Sequence, residues 1–179
     1  MGDIADLVVN CGDVRIPGVT VEAYLVCLED VDAIPDVIAG GNPGEKLTIN
    51  GDITLKALKK WAKFTLVTDS GKVMDEQVGS EGSKHFTSKF TFKIPNTGAP
   101  ATEWVMDRAN GCFIALVREK HNSQLRLLGG MGFPVRQTTA TIDSGDESGS
   151  ERISQIEWTS NTGQPALYYN GVIDLDETT

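Results

Sequence analysis

The chain has two histidines, His85 and His121, and three cysteines, Cys11, Cys27 and Cys112, among 179 residues. Paired Cys or His at short spacing are missing, which excludes the ligand pattern of a structural zinc site. The cysteines are odd in number and widely spaced. Cys27 and Cys112 lie in apolar strand patterns, which predicts buried free thiols in a reducing compartment. No apolar run reaches the roughly 20 residues of a membrane-spanning helix. The start, Met1-Gly2-Asp3-Ile4-Ala5-Asp6, lacks the basic and apolar regions of a secretory leader, and Asp6 breaks a myristoylation pattern. Positive charge is in deficit: 16 Lys and Arg against 25 Asp and Glu give a net charge of −9. Such a surface repels nucleic acid and favours solubility. Apolar residues make up 40 % and mean hydropathy is −0.17, which suits a soluble globular domain with a real core.

Reaction centres are missing as well. No G-x-S-x-G occurs, and neither histidine has a Ser or Cys nucleophile nearby in a known motif. Gly129-Gly130-Met131-Gly132 matches neither a dinucleotide fingerprint nor a phosphate loop, and Pro134 disfavours a helix after it. Aligned from Asp143, the calcium-loop pattern fails at Gly145, Glu147 and Ser148. Acids are plentiful but nothing singles out a pair. Trp61, Trp104 and Trp158 have the spacing of core anchors rather than of a sugar platform. Lys56, Lys59, Lys60 and Lys63 form the one basic patch, solvent-facing and able to complement acids on a partner subunit. No catalytic, cofactor-binding or metal-ligating residue is nominated, and the chain is expected not to be an enzyme.

What is present is alternation. Phe86, Phe90, Phe92 and Ile94 point one way, while His85, Thr87, Lys89, Thr91 and Lys93 point the other. A period of two means a sheet with one dry and one wet face. Upstream, residues 1–17 read as an N-terminal arm, with Leu7-Val8-Val9 as a short strand and Pro17-Gly18 as a turn. Val19, Val21, Ala23, Leu25 and Cys27 alternate with Thr20, Glu22, Tyr24, Val26 and Leu28. The end of this strand is apolar on both faces, which places it deep. Residues 29–45 carry Pro35, Gly40-Gly41 and Pro43-Gly44 and read as a long loop, with a helical turn at 32–38 and contact with a neighbour as its candidate role. Leu47, Ile49, Ile53 and Leu55 flank Asn50-Gly51, the strongest short hairpin signal. Trp61, Phe64, Leu66 and Val67 give a further strand. Asp69-Ser70-Gly71 turns the chain so that residues 72–78 pair back across that turn, and 79–83 is a flexible connector.

Pro100 at the first helical position, Glu103 near the positive end and Gly111 as a left-handed terminator predict one helix over 100–109. Ala101, Trp104, Val105 and Ala109 form its apolar stripe. So short a helix plugs one end or side of a sandwich. Residues 112–117 are apolar on both faces and read as a central strand. A charged hairpin loop at 118–123 and a return strand at 124–128 follow. Then come a close-packed glycine corner, a Thr-rich half-exposed strand at 135–142, an acidic loop at 143–151 and a strand at 152–160. Residues 165–169 and 171–175 complete a single domain, 1–179, and the tail 176–179 frays. The expected class is all-β with one short helix, a β-sandwich or partial barrel.

This order resembles that of tailed-bacteriophage tail tube (major tail) proteins. The resemblance rests on strand 86–94, helix 100–109, strand 113–117, Leu125-Arg126-Leu127-Leu128-Gly129-Gly130, the acidic Gly-Ser loop, Ile156-Glu157-Trp158 and Tyr168-Tyr169-Asn170-Gly171, across roughly the second half of the chain. It implies a tail-tube-like sandwich with a flanking helix, long loops and extended termini. It further implies a virion structural protein of the tail, assembled in the host cytoplasm. The protein would be a homo-oligomer whose hexameric rings self-assemble and stack into a tube contacting other tail proteins. Inward strands would close a barrel through which DNA passes without specific binding, and the acidic composition agrees with a negative lumen. The segments 29–45, 143–151 and both termini become candidate ring-to-ring contacts.

Other classes carry other expectations. A ligand- or carbohydrate-binding β-sandwich module would group exposed aromatics on a concave face, and burial of all three tryptophans would remove it. A hydrolase would face two acids across a pocket, one with a raised pKa. A tail terminator or capsid decoration protein would share the features of a tube subunit.

Overall fold

The computed structural model describes residues 16–40, 42–95, 97–145 and 152–175. The expected strand at Leu7-Val8-Val9, most of the acidic loop and the 176–179 tail lie outside the described residues. The protein is mostly β with one helix. Its strands are β1 (Val19–Cys27), β2 (Val31–Ala33), β3 (Thr48–Ile49), β4 (Thr54–Leu55), β5 (Ala62–Thr65), β6 (Lys72–Val78), β7 (His85–Pro95), β8 (Phe113–Glu119), β9 (Leu125–Leu128), β10 (Arg136–Asp143), β11 (Ile153–Thr162) and β12 (Leu167–Tyr169), with α1 (Ala99–Arg108) between β7 and β8. A six-stranded sheet has the order β3-β12-β9-β8-β1-β5, a four-stranded sheet the order β10-β11-β7-β6, and β2 pairs with β4.

Alternation in the sequence decides the layering. On β8, Phe113, Ala115 and Val117 face the four-stranded sheet, and Ile114 and Leu116 face away from it. β1 divides in the same way, Ala23 and Leu25 on one side and Tyr24 and Val26 on the other. The six-stranded sheet is therefore buried on both faces, which is why these strands read as continuous apolar runs. Its first face meets Phe90, Phe92, Ile94, Ile156 and Trp158 of the four-stranded sheet. Its second face, which includes Ile49 of β3 and Tyr169 of β12, packs with Val31, Ile53 and Trp61 in one apolar cluster, the outer layer. Each such fully buried large side chain contributes about 1.5–3 kcal/mol. Trp158 sits among Phe64, Phe90, Phe92, Trp104 and Phe113, with ring centroids 4.8–6.2 Å away.

α1 covers one side of this sandwich. Val105 is its buried residue, Trp104 packs beside it, and the Gln137 side chain of β10 donates to the Val105 carbonyl at 3.4 Å. Arg108 closes the last turn, stacking over the Trp104 ring at 4.1 Å and donating to the Trp104 carbonyl at 2.9 Å. Burial holds its guanidinium below the usual arginine range.

Several expectations need correction. Asn50-Gly51 does not close a hairpin: β3 pairs in parallel with β12, and β4 pairs with β2. The Ile49 and Ile53 side chains are both buried in the outer layer, so packing overrides the turn signal. The helical turn of the 29–45 segment lies at Leu28–Asp30, and Val31–Ala33 is extended because Val31 is drawn into that same layer. β6 pairs with β7 and not with the strand before Asp69, so the chain changes sheets there and 79–83 becomes a hairpin turn. The helix begins at Ala99, Pro100 is its second residue, and no acid lies in its first turn. Gly111 is not left-handed; its Cα packs against the Phe113 ring, where a Cβ would collide. Cys27 and Cys112 are free but only half-buried.

Candidate functional site

The four-stranded sheet has a polar outer face and two open edges. Outward residues are Lys72, Met74 and Glu76 on β6, His85, Thr87, Lys89, Thr91 and Lys93 on β7, Gln155, Glu157, Thr159 and Asn161 on β11, and Arg136, Thr139, Thr141 and Asp143 on β10. Polar ladders tie them together: Thr87 donates to Asn161 at 2.9 Å, Thr138 to Thr159 at 2.7 Å, and Lys89 meets Glu76 at 3.4 Å. Lys72, Lys89, Lys93 and Arg136 oppose only Glu76, Glu157 and Asp143 on this face. The net charge of −9 is therefore carried elsewhere, and the outer face is close to balanced.

β6 and β10 are the two edges; β10 is exposed along nearly all of its length, and β6 is exposed at Lys72, Met74, Glu76 and Gln77. Every pairing inside the sheet is antiparallel, so β6 and β10 run in opposite directions. An antiparallel alternation would therefore continue if β10 of one copy met β6 of the next. β10 reads Arg-Gln-Thr-Thr-Ala-Thr-Ile-Asp. It has no Pro or Lys, the residues that commonly blunt an edge. Beyond a register shift between Gln137 and Thr139, Ala140 and Ile142 turn toward the inner side yet stay exposed, Ile142 at 43 %.

β6 is locked to the other sheet by a charge clasp. Arg126 of β9 donates to Asp75 at 2.5 Å and to Glu119 at 3.0 Å, and lies over the Tyr168 ring at 4.7 Å. Asp75 also accepts from Ser88 Oγ at 2.5 Å and from the Ala166 N–H at 3.1 Å. The Arg126 and Asp75 side chains are only 12 % and 16 % exposed, so this pair fixes how the two sheets face each other. Periodicity did not reveal it, because Arg126 and Asp75 are 51 residues apart.

The remaining sequence candidates scatter. His85 and His121 are exposed. Trp61 and Trp158 are buried and Trp104 is partly buried, while Phe133, at 56 %, is an exposed ring on a different turn. Lys59 pairs with Asp30 at 2.9 Å, Lys63 with Glu22 at 3.3 Å, and Lys60 with Asp174, so much of the basic patch is engaged within its own chain. The bond to Asp30 raises the Lys59 ammonium above its ordinary range. A surface cavity of about 530 Å³ lies beside that patch, between Asp52 and Asp174; Asp52 is held by the Val172 N–H at 2.7 Å. Among the described residues, no three His, Cys, Asp or Glu side chains converge on a metal-sized site, and no helix is long and apolar enough to cross a membrane. Sequence reasoning also missed Leu58. It is 99 % exposed, has φ of +66° and sits in a turn closed by Lys59 N–H donating to Lys56 C=O at 3.0 Å.

Searches against protein-family models, curated proteins and solved structures find no match for this chain.

Proposed function

We propose that this protein is a self-assembling structural subunit of the tail-tube kind: a homo-oligomer forming rings, hexameric by the resemblance, that stack into a virion tube through which DNA passes. The observation that carries the reading is the four-stranded sheet with two exposed edges of opposite direction and a polar outer face. Edges of this kind are normally blunted or covered in monomeric proteins. A ring of identical copies removes every one of them, since each β6 meets a neighbouring β10. The outer face then lines the channel. Its near-balance of charge and its threonines offer DNA neither a basic groove nor stacking platforms.

Electron microscopy of the purified protein tests the reading against an edge variant. The wild-type chain is expected to form rings or tubes. Ala140→Lys with Ile142→Lys places two ammonium groups at the β10 edge without touching the core. That variant should remain monomeric with an unchanged melting temperature. Assembly of the double variant as efficient as wild type would remove the β10 edge from the account.

A further inference from the structure

Leu58 has no task in the folded single chain. Its side chain stands in solvent, yet its backbone is held at a φ of +66°, a left-handed value that strains any residue but glycine. The turn that presents it is built rather than loose. The Lys56 N–H donates to the Asp30 carbonyl at 2.9 Å, and the Trp61 N–H donates to the Asp174 carbonyl at 3.0 Å. Leu55 and Trp61, on either side of the turn, are anchored in the outer layer. Val172, 72 % exposed, borders the same cavity as Leu58, and its N–H and C=O are engaged by Asp52 and Tyr169. Two apolar side chains are therefore held out in water on a fixed frame, which lowers the ordering cost of binding. Of the lysines that line this cavity, Lys59 and Lys60 are paired with Asp30 and Asp174, while Lys56 forms no salt bridge among the described residues.

The same chain carries a cavity of matching chemistry. It has a volume of about 450 Å³ and lies where β1 ends and β8 begins, walled by Leu28, Cys112 and Phe113 together with the exposed acids Glu29 and Asp107. Neither acid forms a salt bridge among the described residues. Leu58 does not fill the cavity of its own chain: its turn is tied to Asp30, the neighbour of Glu29, and its side chain points into water.

We infer that Leu58 of one copy docks in the cavity beside Leu28 and Phe113 of a second copy, where Lys56 meets Glu29 and Asp107. The occupant is a second copy because apolar walls with unpaired carboxylates answer an apolar tip with an unpaired ammonium. The contact uses no residue of β6 or β10 and needs no ring. So small an interface is weak by itself. It forms in concentrated solution and leaves an edge-blocked chain monomeric at the dilution of microscopy.

Sedimentation equilibrium of the full chain carrying Ala140→Lys and Ile142→Lys, taken up to its solubility limit, tests this apart from edge pairing. That chain is expected to self-associate weakly. Adding Leu58→Gly, which relieves strain and keeps the fold, should raise the dissociation constant about tenfold or more. Glu29→Lys with Asp107→Lys should weaken association as well, and more so at low salt. Adding Lys56→Glu to that charge-reversed chain should restore it, a rescue that misfolding would not give. Monomer at every concentration, or a dissociation constant unchanged by Leu58→Gly, would overturn the inference. So would association that Leu58→Gly abolishes but charge reversal leaves intact, because the leucine would then seat elsewhere. Whether the wild-type chain forms rings is read separately by microscopy and is decided by none of these results.

Discussion

Arg126 and Leu58 show two opposite ways a single residue departs from what its neighbours in sequence suggest. Residues 124–128 read as a return strand, with no role assigned to Arg126. In the fold that cation is nearly buried and completed by Asp75 and Glu119. Removing one member leaves an uncompensated charge in a dry place, so Arg126→Ala should cost about 3–5 kcal/mol in urea denaturation. The half-exposed Lys63–Glu22 pair is the internal control, and Lys63→Ala should cost under about 1 kcal/mol. Leu58 is strained where it need not be. Its turn has the geometry in which glycine is favoured at the third position. Leu58→Gly should therefore stabilise the monomer by up to about 1 kcal/mol, a balance of left-handed strain against glycine's entropy. Cys27 carries a pH consequence. Burial, and then Asp30 and Glu29, push its thiol above the usual 9.0. A thiol held protonated by the fold supports stability fully below that value, and the contribution is lost as pH rises past it. At pH 8, iodoacetamide should label Cys27 in the native protein more slowly than it labels a free thiol, read by mass spectrometry.

At the scale of elements, alternation was a sufficient guide wherever a strand has one or two well-defined buried faces. β7, β8, β11 and α1 lie close to where periodicity places them, because their apolar rows fill the central core. The short elements were not legible. β2, β3 and β4 have two or three residues each, too few to show a period. Their partners are chosen by the second face of the six-stranded sheet rather than by the Asn-Gly turn. The glycine corner was legible as a close approach. Gly129 has φ of +88°, and a Cβ there would lie 3.1 Å from the Val135 nitrogen. Gly129→Ala should thus cost more than the usual strand substitution, beyond about 1 kcal/mol, with thermal unfolding as the check. Tyr169 staples the outer layer: its hydroxyl accepts from the Ile53 N–H at 3.1 Å and donates to the Val172 carbonyl at 3.0 Å. Tyr169→Phe leaves the buried Ile53 N–H unpaired and should cost about 1–3 kcal/mol by the same assay.

For the whole molecule, composition and architecture point to different places. The acidic total suggested a negative channel, yet the outer face of the four-stranded sheet carries cations and acids in near-equal number. If that face lines a channel, passage of DNA depends on the scarcity of tight cationic contacts rather than on repulsion alone. Charge placement of this kind was hidden from the sequence, because which strands share a face is fixed only by topology. The account rests on one physical demand, that the free edges of β6 and β10 satisfy each other between copies. Cysteine at position 74 on β6 in one preparation and at position 141 on β10 in another tests it directly. Mixed and oxidised, Met74→Cys and Thr141→Cys chains are predicted to give covalent dimers that neither gives alone, and a chain carrying both is predicted to give a ladder of multimers. Monomers alone in every mixture, at concentrations where the protein is folded, would contradict it.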